Sequence, residues 1–373
     1  MRKLVFNVIA ILCAVVISTS LSGMSTYTKD FKKVIREEFT ISKDGEVNIA
    51  NTYGTVKINT TGGDEVVIEV TIKVDKRSED DAEEFFEKVN IEFDNSRSEV
   101  SAMTKIGNQK KSSWTKWLNP GNWNNNSSYS VNYEVWMPST CSLDLTNKYG
   151  DIAVSDIDNN VKLTLRYGDG VLENIAGDLE LDLAYGDLRI GNVNDLEMDI
   201  AYGEFKCKSS RDVSCDSKYS DIYIDKARRL EADTGYDDYF IGVIETSFVN
   251  DGHYDDFEID YVDEFEIDAG YSDFVIDELG SGGVFDAGYG DLVVKKVQSL
   301  AKGLEVDGRY SDVSLRMSIP FSIELESKYT DVDMPSKMNY SYKDKEGSKE
   351  DFKGTYGNSS GNKIIASIGG YGW

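Results

Sequence analysis

One histidine, His253, is all that the 373 residues contain, and no Cys/His spacing suited to a metal is present. A zinc-type centre is thereby excluded, and no distinct His, Cys or Ser constellation marks a single active site. Cysteine is equally scarce. Of four, Cys13 lies in the N-terminal apolar run, leaving Cys141, Cys207 and Cys215, an odd number that cannot fully pair. Positive charge is short as well: 40 Lys and Arg face 67 Asp and Glu, giving a net charge of −27 and a pI near 4.4. That balance argues against nucleic acid and anionic lipid surfaces as partners. After the first 22 residues no apolar run reaches membrane-spanning length, so no transmembrane segment is expected once a leader is removed.

What is present begins with a leader-like segment. Arg2 and Lys3 give a positive start, Leu4 to Ile17 an apolar run, and Ser20-Leu21-Ser22 a small-residue cleavage site. Residues 1–22 therefore read as a secretory signal, with a retained anchor as the alternative. Leu12 before Cys13 does not fit a lipoprotein signal. The chain is expected to be exported, to the periplasm, the outer-membrane surface or the exterior.

One tripeptide then dominates. Tyr-(Gly/Ser/Asp/Thr)-(Asp/Glu) recurs at Tyr149, Tyr167, Tyr185, Tyr202, Tyr219, Tyr236, Tyr254, Tyr271, Tyr289, Tyr310 and Tyr329, mostly 17 or 18 residues apart. A fixed period of this kind marks a solenoid. Positions six and four before each Tyr are mostly apolar (Leu179 and Leu181, Leu196 and Met198), as are three and five after it (Leu188 and Ile190, Ile222 and Ile224). Spacing by two on both sides gives two short strands, each with one inward face. The corner between them is expected to turn on its Gly and Asp, with the tyrosine on the inward parity. A left-handed hexapeptide helix fails, because Glu173, Lys208, Asp225 and Asp260 stand where it needs aliphatics. A calcium β-roll is weakened, since only one half of each coil carries a Gly-Asp turn.

The fold class is therefore all-β, a parallel β-solenoid (β-helix) of 17–18-residue coils with an N-terminal strand–helix–strand capping insert. The domains are expected at 1–22 (signal), 27–140 (β-rich capping module with a helix over 78–89), 141–334 (eleven coils) and 335–373. Within the second, Val47, Ile49, Tyr53-Gly54, Val56 and Ile58 form one degenerate coil. Ser78 caps a helix with an acidic first turn and an Ala82, Phe85, Phe86, Val89 face. In the last, Lys343 to Asn362 reads as a polar loop and Lys363 to Trp373 as a closing coil. Cys207 and Cys215 fall on inward positions, which favours core packing of small thiols over a disulfide between them.

Two acidic columns run along the repeat, one two residues after each Tyr and one three residues before it in the eight coils from Tyr185 to Tyr310. Asp182, Asp187, Asp199, Asp216, Asp221, Asp268, Asp273, Asp286 and Asp291 are its Ca²⁺ candidates, carboxylates being the usual ligands of that ion. The alternative, favoured here, is that each corner Asp accepts backbone N–H bonds in its own turn while the other column faces water. No other cofactor is expected. The tyrosines are expected to stack with their hydroxyls in water, a sugar-binding ladder being the sharper alternative. Trp114, Trp117 and Trp123, in an Asn- and Lys-rich loop, suggest a sugar- or partner-binding surface, or else a cap over the core. Carboxylates recur evenly instead of forming one pair, so the chain is not read as an enzyme.

The Tyr-Gly-Asp coils, the segments Asn51-Thr52-Tyr53-Gly54 and Asn147-Lys148-Tyr149-Gly150, the acidic helix insert and the Gly369 to Gly372 ending resemble a bacterial envelope family. It is the domain-of-unknown-function family named "putative adhesin", common in Bacteroidetes-type bacteria. The resemblance covers nearly all of the mature chain and carries no catalytic residues; Thr55 departs from its usual acidic corner residue. It implies an exported, non-enzymatic surface that binds or spaces an envelope or surface ligand, a glycan or a protein. A periplasmic scaffold or envelope-signalling component, and a carbohydrate-active β-helix enzyme, are the alternatives.

Overall fold

The computed structural model describes residues 28–107, 128–358 and 361–370. The leader and Trp114, Trp117 and Trp123 lie outside the described residues. Strand dominates, arranged as a parallel β-solenoid of about 10 turns at roughly 18-residue spacing. The chain divides into two compact units, up to Ala176 and from Gly177.

The first unit contains β1 (Lys29–Thr40), β2 (Glu46–Tyr53), β3 (Val56–Thr61), β4 (Glu65–Lys76), α1 (Glu79–Lys88), β5 (Val89–Asn95), β6 (Glu99–Ile106) and β7 (Tyr129–Pro138). Then come β8 (Ser142–Tyr149), β9 (Ile152–Val154), β10 (Val161–Arg166) and β11 (Gly170–Leu172). The degenerate coil is present: β2 pairs in parallel with β8, Val47 opposite Leu143, and β3 with β9, Val56 opposite Ile152. β10 and β11 add the next coil. The insert extends both sheets. Strand β6 lies parallel to β2 and β7 parallel to β3, while β5, β4 and β1 follow as antiparallel neighbours. Ser78 caps α1 by accepting from the Asp81 N–H at 3.2 Å, and Ala82 and Phe85 are its buried face.

The second unit begins with β12 (Leu179–Ala184), β13 (Leu188–Asn192), β14 (Asp195–Ala201), β15 (Glu204–Lys218), β16 (Asp221–Gly235), β17 (Asp238–His253), β18 (Asp256–Gly270) and β19 (Asp273–Gly288). It ends with β20 (Leu292–Val297), β21 (Gly303–Arg309), β22 (Val313–Met317), β23 (Phe321–Lys328), β24 (Asn339–Glu346), β25 (Lys349–Tyr356) and β26 (Lys363–Gly369). Parallel pairing in register stacks like on like. Leu181, Met198, Cys215, Ala232, Val249 and Ile267 form one inward column. Leu188, Phe205, Ile222, Tyr239, Phe257 and Phe274 form a second. Cys207 lies in the second strand layer between Ile190 and Ile224, so the two thiols occupy different columns and both are free. Burial pushes each up to about 12.

The C-terminal end corrects two expectations. Lys343 to Asn362 is not a loop: β24 and β25 form an antiparallel hairpin around Gly347, and β25 pairs antiparallel with β23. Its polar sequence hid the pattern, because every residue of β24 is exposed, Phe352 is the one large apolar side chain that β25 buries, and Lys343 and Lys345 both pair with Glu350 at 2.9 Å. Nor is the last strand a closing coil. β26 enters between β21 and β23, parallel to both. The Asn362 side chain fixes its entry, accepting from Leu300 N–H and donating to the Pro320 carbonyl.

Candidate functional site: a tyrosine ladder and its acidic flanks

The corner does not turn as the sequence suggests. From Tyr167 to Tyr329 the tyrosine itself is left-handed, with φ between 56° and 71°. In the two Asn-x-Tyr-Gly corners the glycine takes positive φ instead, 125° at Gly54 and 146° at Gly150. There the buried Asn147 donates its Nδ2 to the Gly150 carbonyl at 2.6 Å and the Gly54 carbonyl at 3.1 Å, holding the turn. A left-handed residue costs an L-amino acid roughly 1–2 kcal/mol, and for a bulky side chain it is rare. It also resets the side-chain parity. Position two before the tyrosine points in, the tyrosine points out, and the next residue points in again.

The expected inward tyrosine is thus corrected, while the expected stacking is present. In the second unit seven consecutive ring pairs, from Tyr185 to Tyr310, stack at centroid distances of 4.6–5.0 Å and within 15° of parallel. In the first unit Tyr53, Tyr149 and Tyr167 do the same at 5.1 Å. Such pairs contribute about 0.5–1.5 kcal/mol each, which offsets part of the backbone cost. From Tyr149 onward each ring remains exposed, 49% at Tyr185 and 48% at Tyr271. Because neighbours cover the faces, the ladder presents ring edges and hydroxyls.

The corner carboxylates accept backbone N–H bonds, and the donors lie in the next coil. Asp187 accepts from Glu204 N–H at 3.0 Å, Asp273 from Asp291 at 2.9 Å and Asp291 from Asp312 at 2.9 Å. Asp221 continues this column. In the other column Asp182, Asp199 and Asp216 lie in register, as do Asp268 and Asp286. Arg309 reaches Asp286 at 3.2 Å. Among the described residues no group of three or more His, Cys, Asp or Glu is disposed to hold a metal ion.

Two carboxylates escaped the sequence reading. Where other corners carry Gly, Ser or Thr after the tyrosine, two read Tyr-Asp-Asp, and parity turns Asp237 and Asp255 inward, 2% and 1% exposed. Asp237 accepts from Ser220 N–H at 2.7 Å, Gly235 N–H at 2.9 Å and the Ser217 hydroxyl at 2.8 Å. Asp255 accepts from the Thr234 hydroxyl at 2.6 Å and Asp237 N–H at 3.0 Å. Ser217 also meets Tyr239 Oη at 2.6 Å, which donates to Cys215 Sγ. Burial pushes Asp237 up to about 6 and Asp255 in the same direction, against the pull of these hydrogen bonds. Burial and then the neighbouring Asp221 and Asp256 also raise the exposed Asp238. The Tyr-Asp-Asp departure was the available signal.

No family model matches the chain, and no curated relative does. Among solved structures it is similar to a "putative adhesin" from Parabacteroides distasonis ATCC 8503, at 10% identity over 76% of this chain and 97% of that one, with a TM-score of 0.38. It is similar also to a "putative adhesin" from Bacteroides fragilis NCTC 9343, at 11% identity over 91% and 97%, with a TM-score of 0.31. A "putative cell adhesion protein" from Clostridium sporogenes ATCC 15579 follows at 11% identity over 91% and 95%, with a TM-score of 0.19.

Proposed function

We propose that this chain is an exported, non-enzymatic β-solenoid that serves as a binding or spacing surface in the bacterial envelope, with adhesion as its role. The observation that carries the reading is the ladder itself. Within each unit half-exposed tyrosines in successive contact, edged by carboxylates, form an aromatic surface larger than the scattered apolar residues of an ordinary exterior, and such patches mark interaction sites. The corner motif recurs from coil to coil, which suits extended contact better than turnover of one substrate.

A glycosidase needs two carboxylates facing an accessible cleft. Asp237 and Asp255 are enclosed and hydrogen-bonded, and the exposed acids recur evenly, so the geometry favours binding. Among the described residues no helix is long and apolar enough to cross a membrane. Trp114, Trp117 and Trp123 are proposed as a second part of the surface. Removing the chain from its host and counting cells retained on glycan- and protein-coated surfaces tests the role. Retention should fall and return on re-expression; equal retention with and without the chain overturns it.

A further inference from the structure

Between Arg229 and Lys295 the sequence holds no Lys or Arg, against nineteen Asp and Glu. The stretch includes the corners at Tyr236, Tyr254, Tyr271 and Tyr289. Elsewhere the residue before the tyrosine is often basic: Lys148, Arg166, Lys218, Arg309 and Lys328. Here it is Gly235, His253, Gly270 and Gly288.

The chain's own cations show what that position accepts. Lys148 Nζ lies 5.2 Å from the Tyr149 ring centroid, and Lys328 Nζ 5.2 Å from that of Tyr329. Arg309 turns to Asp286 in the preceding acidic column. The two lysines thus lie by aromatic rings, and the arginine pairs with a carboxylate. The Lys218 stem reaches over Gly235, where an added Cβ would meet it at 3.8 Å. Farther along the side is open. A Cβ on Gly270 would meet only the His253 ring at 3.8 Å, and one on Gly288 nothing within 4 Å.

Several partners are disfavoured by the same geometry. A sugar stacking on ring faces finds them covered by neighbouring rings. A second copy would bring acidic columns against acidic columns, each close pair repelling by about 1 kcal/mol in water and more where water is excluded. A cationic chain meets neither obstacle. Carboxylates stand on both sides of the tyrosine corner, three residues before and two after, and successive side chains of an extended strand point to opposite sides.

We propose that the ridge from Tyr254 to Tyr289 is a docking surface for an extended basic polypeptide segment. Its Lys and Arg side chains take places beside Tyr271 and Tyr289, as Lys148 and Lys328 do beside Tyr149 and Tyr329, and against Asp268, as Arg309 does against Asp286. The proposal deepens the binding-surface reading and rests on it.

The test titrates purified full-length protein against a fluorescently labelled decalysine, in about 0.15 M salt to damp long-range attraction, and reads anisotropy. Gly270→Lys/Gly288→Lys fills the open places from within. Glu83→Gln/Glu87→Gln on α1 makes the same change of net charge far in sequence from Tyr254 to Tyr289. Saturable binding is expected, weakened about tenfold or more by the filled variant and less than about twofold by the control. Asp268→Asn, half that change of charge, provides an arm that adds no bulk and should weaken binding more than the control does. Absence of saturable binding overturns the proposal, as does weakening by the three variants in proportion to their change of charge, which would leave only net charge. Purified protein keeps this result separate from the cellular one: failure here leaves the envelope reading standing, and failure of adhesion leaves a positive titration standing.

Discussion

At the residue scale the ladder exchanges backbone strain for ring contact. Tyr219, with φ of 56°, stacks on Tyr202 and Tyr236, both at 5.0 Å. Tyr219→Val removes two stacks and places a β-branched residue in the left-handed region, so denaturant unfolding should show a loss of about 2–4 kcal/mol. Tyr219→Asn, which tolerates that region, should lose about 1 kcal/mol less. Asp237 sets a pH dependence of defined sign. Its folded pKa of about 6 lies above the unfolded value of 3.8, so the native state holds the proton more tightly. Its contribution is therefore greatest below pH 4 and is lost as pH rises through 6, by about 3 kcal/mol at most. Asp237→Asn should flatten the fall in melting temperature between pH 4 and 7 relative to the parent; parallel pH profiles would contradict the assignment. Both features were hidden by one assumption, that alternation continues through the corner. A single left-handed residue inverts it, and with it the placement of Tyr236, Asp237 and their equivalents.

At the element scale the legible part was the part with a strong apolar rhythm. The Leu181, Met198, Cys215 column and the Leu188, Phe205, Ile222 column follow directly from spacing by two at a period of 17–18. The degenerate coil at Val47 to Ile58 and the Ser78 cap were readable for the same reason, each carrying its local chemistry intact. Polar β24 and β25 carry no such rhythm, because antiparallel pairing and Lys–Glu contacts hold them at an edge. The place of β26 was illegible in a different way. Ile364 and Ala366 announce an inward strand, but no residue states that it lies between β21 and β23. Truncation after Gly361 should accordingly strip both strands of a parallel partner and lower the melting temperature by at least several degrees. An unchanged melt would show that the strand adds little. The thiols offer a simpler check: Cys207 and Cys215 should resist an alkylating reagent in the folded protein and react once it is denatured.

At the scale of the whole molecule, charge decides more than shape. A net charge of −27 and aligned carboxylates make cation effects expected, yet the corner acids are already engaged by backbone N–H groups of the next coil. Millimolar Ca²⁺ should therefore raise the melting temperature over EDTA no more than a Mg²⁺ control of equal ionic strength does. A Ca²⁺-specific rise would restore the nine aspartates as a binding site. The aromatic ridge remains the feature that structure alone does not require in so exposed a form, and its use depends on where it is displayed. Protease shaving of intact cells, with a lysed control, measures that most directly. The account predicts that the chain is removed from intact cells. Protection until lysis would place it behind the envelope barrier and contradict adhesion.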